Sequence, residues 1–282
     1  MLNIGVLFKK YFNDKDKIFD RLKDLGVNPF DCTDGVSPSM CRSEIGDTDK
    51  RRDAVCTTDF ILCFGGDGTI LRSITHALKH NAPILGVNFG KLGFLSDINY
   101  KELHKSIDAL KNNNYKLEQR MLLDIKVIRN NLTIFQGNAL NEAALVKAHD
   151  SKLIKLNLYA NRQLVYNTRS DGIIISTPTG STAYSMSAGG PIVAPNIHVI
   201  IATPLNSHML GMRPIIFNED DKLEIKIPEN HKIYLQSDGN IKCEILSDDK
   251  VFICKSESIV NFVKLKQKTF YGILRRKLKI GS

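Results

Sequence analysis

Phe60-Ile61-Leu62-Cys63-Phe64-Gly65-Gly66-Asp67-Gly68-Thr69-Ile70-Leu71-Arg72 is the stretch on which the reading of this chain turns. Phe60 to Phe64 is a short unbroken apolar run, the pattern of a strand buried on both faces. From Ile70 to Leu78 the apolar residues recur at helical spacing. Glycines and one acid therefore sit where a strand's carboxyl end turns into a helix, the place at which open α/β sheets bind ligands. Glycine lets the backbone approach a phosphate closely, and the helix's first N–H groups point at it. Asp67 does not suit a plain anion cradle. It would repel phosphate unless it holds a metal ion or takes a proton from an attacking hydroxyl. The alternative is that Asp67 only caps the helix, and this stretch leaves both readings open.

The same grammar extends to either side. Asn3 to Phe8 is an apolar strand, and Asp14 to Leu25 carries Ile18, Phe19, Leu22 and Leu25 on one helical face before the stop signal Gly26. Asn28 to Asp53, with Pro, Ser, Gly, Asp and mixed charge, reads for the most part as loop. Pro83 to Asn88 is a second buried strand, Asn88 to Leu95 a glycine-spaced loop, and Lys101 to Lys111 a helix with Leu103, Ile107 and Leu110 inward. Alternating β and α units predict a parallel sheet with helices on both faces.

Near residue 115 the pattern changes. Leu123–Ile128, Leu132–Phe135, Leu153–Tyr159, Leu164–Tyr166, Gly172–Ser176, Val199–Ala202, Leu223–Ile227, Ile233–Leu235, Val251–Cys254 and Ile259–Val263 all read as strands. Several alternate apolar with polar, as half-buried antiparallel strands do. The expected organisation is an α/β domain over residues 1–118, a mostly β domain over 119–264, and a C-terminal segment, 265–282, that could return to the first domain. Thr269 to Leu278 reads as its helix.

With 282 residues the chain can form one large or two medium domains. The net charge of +9 favours anionic partners: nucleic acid, membrane lipid or phosphorylated small molecules. Seven basic residues and no acid lie between Lys264 and Ser282, a pattern that a solvated helix face explains. No zinc-finger or RNA-recognition signature supports nucleic acid. No apolar run approaches the roughly 18 residues that would cross a bilayer. Met1 to Val6 reads as a first strand and not as a signal peptide, so the expected location is the cytoplasm. Cys32, Cys41, Cys56, Cys63, Cys243 and Cys254 form no CxxC pair and no ligand spacing with His, and read as reduced structural thiols. No metal-ligand set is legible.

A second constellation follows Arg169-Ser170-Asp171-Gly172 and the strand Ile173-Ile174-Ile175. Of the fifteen residues from Ser176 to Gly190, seven are Ser or Thr and three are Gly. The block is too polar to be expected in a core. Small side chains permit close backbone approach, hydroxyls donate and accept, and Tyr184 offers a stacking face, which suits a nucleotide. Asn141-Glu142 is a weaker signal. Adjacent strand residues point to opposite faces, so both reach one ligand only at a bend or strand end; Glu142 could there accept a pair of ribose hydroxyls. Ser237-Asp238-Gly239-Asn240 is an ordinary turn sequence, as good for a hairpin as for a site.

Taken in order, these segments resemble the NAD kinase family. The likeness is carried by Gly65-Gly66-Asp67-Gly68-Thr69, Asn88-Phe89-Gly90-Lys91-Leu92-Gly93-Phe94-Leu95, Asn141-Glu142, Ser170-Asp171-Gly172, the whole Ser176–Pro191 block, His208-Met209-Leu210-Gly211-Met212-Arg213-Pro214, Asp238-Gly239 and Arg276-Lys277-Leu278. The first element is shared with diacylglycerol and sphingosine kinases, whereas the Ser176–Pro191 block is specific. Ile280 departs from a tryptophan often found there. The resemblance implies an α/β domain carrying the glycine loop and a β-sandwich domain binding a dinucleotide. It further implies phosphoryl transfer from ATP with Mg²⁺ or another divalent cation, or in some members from polyphosphate, to the 2′-hydroxyl of NAD's adenosine ribose. By the same likeness Asp67 is the proton acceptor, while Gly65, Gly66 and Gly68 shape the phosphate-facing turn. Asn141, Glu142, Asp171, Thr182, Ala183, Tyr184 and Ser187 line the NAD site, with Ser185 and Met186 between them. Arg72, Phe94, Lys152, Arg169, Asp238 and Asn240 complete the set, and a homotetramer is expected.

Two rivals share parts of the pattern. A lipid kinase of the diacylglycerol type has the glycine loop but needs an apolar site, which Asn161 to Pro191 does not resemble. An NAD(P)-sensing binding protein has the pocket without turnover, and the retained Asp67 argues against it.

Overall fold

The computed structural model describes residues 1–33, 57–90, 93–149, 151–209, 211–266 and 269–279. Most of the expected Asn28–Asp53 loop, together with Cys41, Cys56, Lys91, Leu92, Leu210 and Ile280, lies outside the described residues. The chain separates into two compact units, Met1–Gln119 with Val260–Ser282, and Arg120–Ile259.

The first unit is built from β1 (Asn3–Phe8), α1 (Lys15–Asp24), β2 (Asn28–Asp31), β3 (Phe60–Phe64), α2 (Asp67–His80), β4 (Ile84–Asn88), β5 (Ile98–Asn99) and α3 (Leu103–Lys111). Its parallel sheet runs β2-β1-β3-β4. Alternate residues Ile4, Val6 and Phe8 of β1, Leu62 and Phe64 of β3, and Leu85 and Val87 of β4 form one core with Ile18 and Leu22 of α1 and Leu103, Ile107 and Leu110 of α3. On β4's other face, Gly86 lies so close to Ile70 of α2 that a Cβ would come within 2.6 Å of its Cδ1. Helices thus cover both faces, which is why these strands are apolar throughout.

One expectation is corrected here. Asn28–Asp31, read as loop, is the edge strand β2, parallel to β1. Pro29 hid it: proline lacks a donor and belongs only at sheet edges, so a four-residue edge strand containing one has no apolar signature. β1 is flanked by β2 on one side and β3 on the other, which makes the β1/β3 boundary the point where strand order reverses. In open α/β sheets the ligand crevice opens at such a point, beyond the strands' carboxyl ends.

The second unit contains β6 (Lys116–Arg129, entering from the first unit), β7 (Leu132–Ala139), β8 (Glu142–Lys147), β9 (Ile154–Ala160), β10 (Gln163–Ser170), β11 (Gly172–Ser176), α4 (Tyr184–Ser187), β12 (Val199–Leu205), β13 (Ile215–Asn218), β14 (Leu223–Lys226), β15 (Ile233–Ser237) and β16 (Asn240–Ile245). β17 (Lys250–Lys264) leads back into the first unit, followed by α5 (Phe270–Leu278). The segments Val251–Cys254 and Ile259–Val263, expected as two strands, are this one long strand.

One antiparallel sheet has the order β13-β12-β11-β8-β15-β16. Against it pack β9, β14, β17 and β6, whose Leu156, Leu158, Leu223, Ile225, Val251, Ile253, Leu123 and Ile125 share a core with Leu145, Ile173, Ile175, Ile200 and Leu235. This is a β-sandwich. The opposite side of the first sheet is closed as well, where Ala144, Ile174 and Leu205 pack with Ala188. Burial on both faces explains why β8 and β11 do not alternate. No helix among the described residues is long and apolar enough to cross a membrane.

Candidate active site

In the first unit the glycine loop joins β3 to α2 at the reversal point. The Lys9 N–H donates to the Phe64 carbonyl at 3.0 Å, tying the end of β1 to the loop, and the exposed Lys9 and Lys10 side chains follow. Gly66 is the N-cap, and Asp67 is the first residue of α2. The capping alternative for Asp67 is therefore set aside, because its carboxylate bonds elsewhere. Its Oδ2 accepts the Phe94 N–H at 2.9 Å and its Oδ1 the Leu95 N–H at 3.2 Å. This contact requires Gly93, where a Cβ would fall 2.0 Å from Oδ1. The Gly93 N–H donates to Ser96 Oγ at 2.7 Å, which holds the loop in place.

Around Gly66 and Gly68 a Cβ would meet nothing within 4 Å, while at Gly65 it would strike Thr69 Oγ1 at 2.3 Å. So Gly65 is needed for packing, and Gly66 and Gly68 are exposed where a phosphate would lie. Arg72 turns back along α2: its guanidinium donates to the carbonyls of Gly68 at 3.3 Å and Phe8 at 3.1 Å. Phe94 is half-buried and enters through its backbone.

In the second unit Asn141 stands at the bend just before β8, and Glu142 opens that strand. The bend is the condition under which both could serve one ligand. Glu142 is buried, and its Oε2 has no hydrogen-bond partner. Burial, and then the charge of Asp238, push its carboxyl up to about 7, against the Tyr184 backbone N–H. Tyr184 is exposed at the start of α4, and partial burial, followed by the charges of Asp171 and Glu142, raises the pKa of its hydroxyl. Asp171 accepts from Asn206 Nδ2 at 2.9 Å and lies 3.5 Å from Lys147 Nζ.

The Ser/Thr-rich block departs from expectation. Ser176, Thr177, Thr179, Ser181 and Ser185 are buried, although so polar a segment was expected outside the core. Internal hydrogen bonds make this possible for all but Ser176, whose buried Oγ has no partner. Thr177 Oγ1 donates to the Leu140 carbonyl at 2.6 Å and accepts the Gly180 N–H at 3.0 Å. Ser181 Oγ accepts from the Val193 N–H at 3.0 Å, and Ser185 Oγ meets Thr203 Oγ1 at 3.0 Å. Gly180 packs on the Asn141 carbonyl, which a Cβ would approach to 2.0 Å. The Ser185 hydroxyl thus faces inward. Thr182, Ala183 and Met186 are half-buried, and Tyr184 and Ser187 are exposed.

Asp238 spends both carboxylate oxygens on backbone N–H groups of residues 140–142. Asn240 is exposed and donates to the Asp238 carbonyl at 3.1 Å. Lys152 is exposed ahead of β9. Arg169 is paired with Glu229 at 2.8 Å and borders a cavity of about 500 Å³ with Lys155, Thr168 and His208. Sequence reasoning passed over Arg120, which is buried and donates to Thr179 Oγ1 at 3.2 Å beneath the block. A single arginine beside an apolar run carries no signal of its own.

Residues 17–115 match the ATP-NAD kinase N-terminal domain and residues 140–265 the ATP-NAD kinase C-terminal domain. The chain is 39% identical over 244 residues to the NAD kinase of Thermoanaerobacter pseudethanolicus, with 86% of each chain covered. It is 40% identical over 220 residues to a bifunctional NADP phosphatase/NAD kinase of Methanocaldococcus jannaschii, covering 78% of this chain and 38% of that one. Its fold is similar to a crystal structure of an NAD kinase from Archaeoglobus fulgidus in complex with ATP, at TM-score 0.73 and 25% identity over 99% of both chains. The fold of yeast NADH kinase complexed with NADH is similar at TM-score 0.82 and 24% identity, covering 100% of this chain and 89% of that one. With both of its domains matched and such identity over most of its length, the chain belongs to the ATP-NAD kinase family.

Proposed function

We infer that this protein is an NAD kinase, which transfers the terminal phosphoryl group of ATP to the 2′-hydroxyl of NAD's adenosine ribose and yields NADP and ADP. The observation that carries this reading is the Asp67 carboxylate, fixed by two backbone N–H groups in a glycine loop at the sheet's reversal point. Each oxygen accepts one N–H and keeps a further lone pair. One of them takes the proton of the 2′-hydroxyl as its oxygen bonds to the γ-phosphorus, and the bond to the β,γ-bridging oxygen breaks. Phosphoryl transfer is mostly positioning and charge stabilisation, so a weak base suffices when the proton leaves late. The open space over Gly66 and Gly68 admits the phosphates, and Lys9, Lys10 and Arg72 supply positive charge nearby.

In the second unit Glu142 accepts ribose hydroxyls, Tyr184 offers its ring to a base, and Asp171, Asn141, Thr182 and Ser187 line the same surface. A divalent cation fits this chemistry. Mg²⁺ is commonly held by substrate phosphates plus one or two carboxylates, and Asp67 is the carboxylate the loop provides. When bound, the ion neutralises charge on the phosphoryl oxygens.

The test is incubation with Mg²⁺-ATP and NAD, with NADP as the readout, polyphosphate as alternative donor and lipid extract as control acceptor. NADP formation with ATP is expected; phosphorylated lipid, or tight NAD binding with no turnover, overturns the reading. We also place the enzyme in the cytoplasm, a reading supported by the free thiols of Cys32, Cys63, Cys243 and Cys254. It is further read as a homotetramer, supported by the family resemblance and by exposed Leu132, Ile216 and Ile241 on strands β7, β13 and β16. Light scattering that reports an active monomer at micromolar concentration would remove the tetramer.

A further inference from the structure

Asp238 sits at the tip of the β15–β16 hairpin with φ +48°, in the left-handed region that costs most side-chain-bearing residues energy. From there its Oδ2 accepts the Leu140 N–H at 2.9 Å, and its Oδ1 accepts the N–H groups of Asn141 at 2.8 Å and Glu142 at 3.2 Å. Its own N–H donates to the Glu142 carbonyl at 3.0 Å. Beside it Ser237 Oγ donates to the Asn138 carbonyl at 2.9 Å. From the other side the Thr177 N–H donates to the Asn141 carbonyl at 2.9 Å. The turn into β8 is thus clamped from two distant segments, and it delivers a buried carboxylate whose Oε2 has no partner.

We propose that Asp238 is a positioning residue for NAD: it touches no substrate, and by pinning the amides of residues 140–142 it aims Glu142 at the ribose hydroxyls. This rests on the NAD kinase reading. Only a carboxylate fits the role fully. An asparagine oxygen could serve Asn141 and Glu142, but its NH₂ would oppose the Leu140 N–H.

The arrangement sets a second negative group beside Glu142, which a purely structural turn does not need. Glu142 is faced by Asp238 from the hairpin, and by the Tyr184 N–H and hydroxyl from α4, with Asp171 acting on the same tyrosine. Lys242 of β16 acts on Asp238. Burial and Asp238 favour the protonated form of Glu142 in the free protein. Ribose hydroxyls donating to Glu142 favour the ionised form. NAD binding near pH 6.5 therefore expels a proton, and Asp238 is part of the reason.

The experiment compares wild type, Asp238→Asn, Glu142→Gln and the double variant. NAD binding is followed by calorimetry in two buffers of different ionisation enthalpy, beside steady-state kinetics from pH 6 to 8.5. Asp238→Asn is expected to weaken NAD on the order of tenfold at pH 8, with the KM for ATP and the kcat at saturating NAD within threefold of wild type. The deficit shrinks toward pH 6, and the proton expelled at pH 6.5 falls. The double variant binds NAD no more weakly than Glu142→Gln alone, because the two changes act on one interaction. Wild-type NAD affinity in Asp238→Asn overturns the proposal, as do additive effects or a lower melting temperature with unaltered proton release. If Asp238→Asn does not melt cooperatively, Asp238→Ser is read by the same criteria. A wild-type protein that makes no NADP removes the NAD kinase reading itself, whereas NADP production with an indifferent Asp238→Asn removes this proposal alone.

Discussion

Asp67 and Glu142 are the two acids on which the two units centre, and they are held in opposite ways. Asp67 is half-buried, and both its oxygens are satisfied by the amides of Phe94 and Leu95. Glu142 is buried with one oxygen left without a partner and a second acid beside it. The first arrangement is a carboxylate oriented before substrate arrives, at little cost in desolvation. The second is a polar group stored unsatisfied, a state whose free-energy cost a ligand relieves when it donates to it. A catalytic group gains from being fixed in advance. A binding group gains from being worse off without its ligand.

The largest expected effect breaks this contrast at its catalytic end. Asp67→Asn should lower kcat on the order of 10²–10⁴ while NAD still binds and the protein melts normally, since Gly66 and not Asp67 is the N-cap. Turnover within threefold of wild type in the folded variant would show that Asp67 is not the base. Next comes Gly93→Ala. Its methyl group would occupy the place of the Asp67 carboxylate, so kcat is expected to fall on the order of 10², with NAD affinity in calorimetry little changed. An unaffected kcat would mean that the orientation of Asp67 by residues 93–95 does not matter.

Glu142→Gln tests the binding end. The KM for NAD should rise on the order of tenfold or more, as expected for losing bonds to a charged acceptor of roughly 1.5–3 kcal/mol, with the KM for ATP unchanged. The same substitution carries a stability signature. Because its pKa is raised in the fold, Glu142 supports folding fully below about pH 4.5 and loses that contribution as pH rises through about 7. A neutral glutamine does not. Without NAD, Glu142→Gln should therefore be more stable than wild type at pH 8, by up to about 3 kcal/mol, and the gap should close toward pH 4. Equal melting temperatures at pH 8 would mean that the buried carboxylate is not strained.

The smallest effect belongs to Thr179→Val, which removes the acceptor of the Arg120 bond. About 1 kcal/mol of stability and a few-fold rise in the KM for NAD are expected. A loss as large as that of Glu142→Gln would shift weight from the acid to the hydroxyl network beneath it.

The glycine loop was legible because every part of it is local. A five-residue apolar run, glycines, an acid and a helical period stand next to each other, and the structure places β3 and α2 there. β11 was equally plain, with bounds at Gly172 and Ser176. What was misread shares one cause. β2 is defined by its pairing with β1 and not by its own residues. Within the polar block Ser176–Ser185, Thr177, Ser181 and Ser185 are buried because partners at Leu140, Val193 and Thr203 satisfy their hydroxyls.

By itself, then, the amino-acid sequence determined which residue types occur in which local setting: the acid after two glycines, the dense hydroxyls after an apolar strand, the shift from helical to strand periodicity near residue 115. Those follow from side-chain sterics and the periods of helix and strand, which act over a few residues. Only the tertiary structure decided that Asp67 orients on residues 94–95 instead of capping its helix. It alone decided that Asp238, 98 residues from Leu140, serves the turn before Glu142, and that Glu142 is left with an empty acceptor. Buried polar groups must find partners wherever the fold brings them, and a partner so far along the chain leaves no trace in the neighbouring residues.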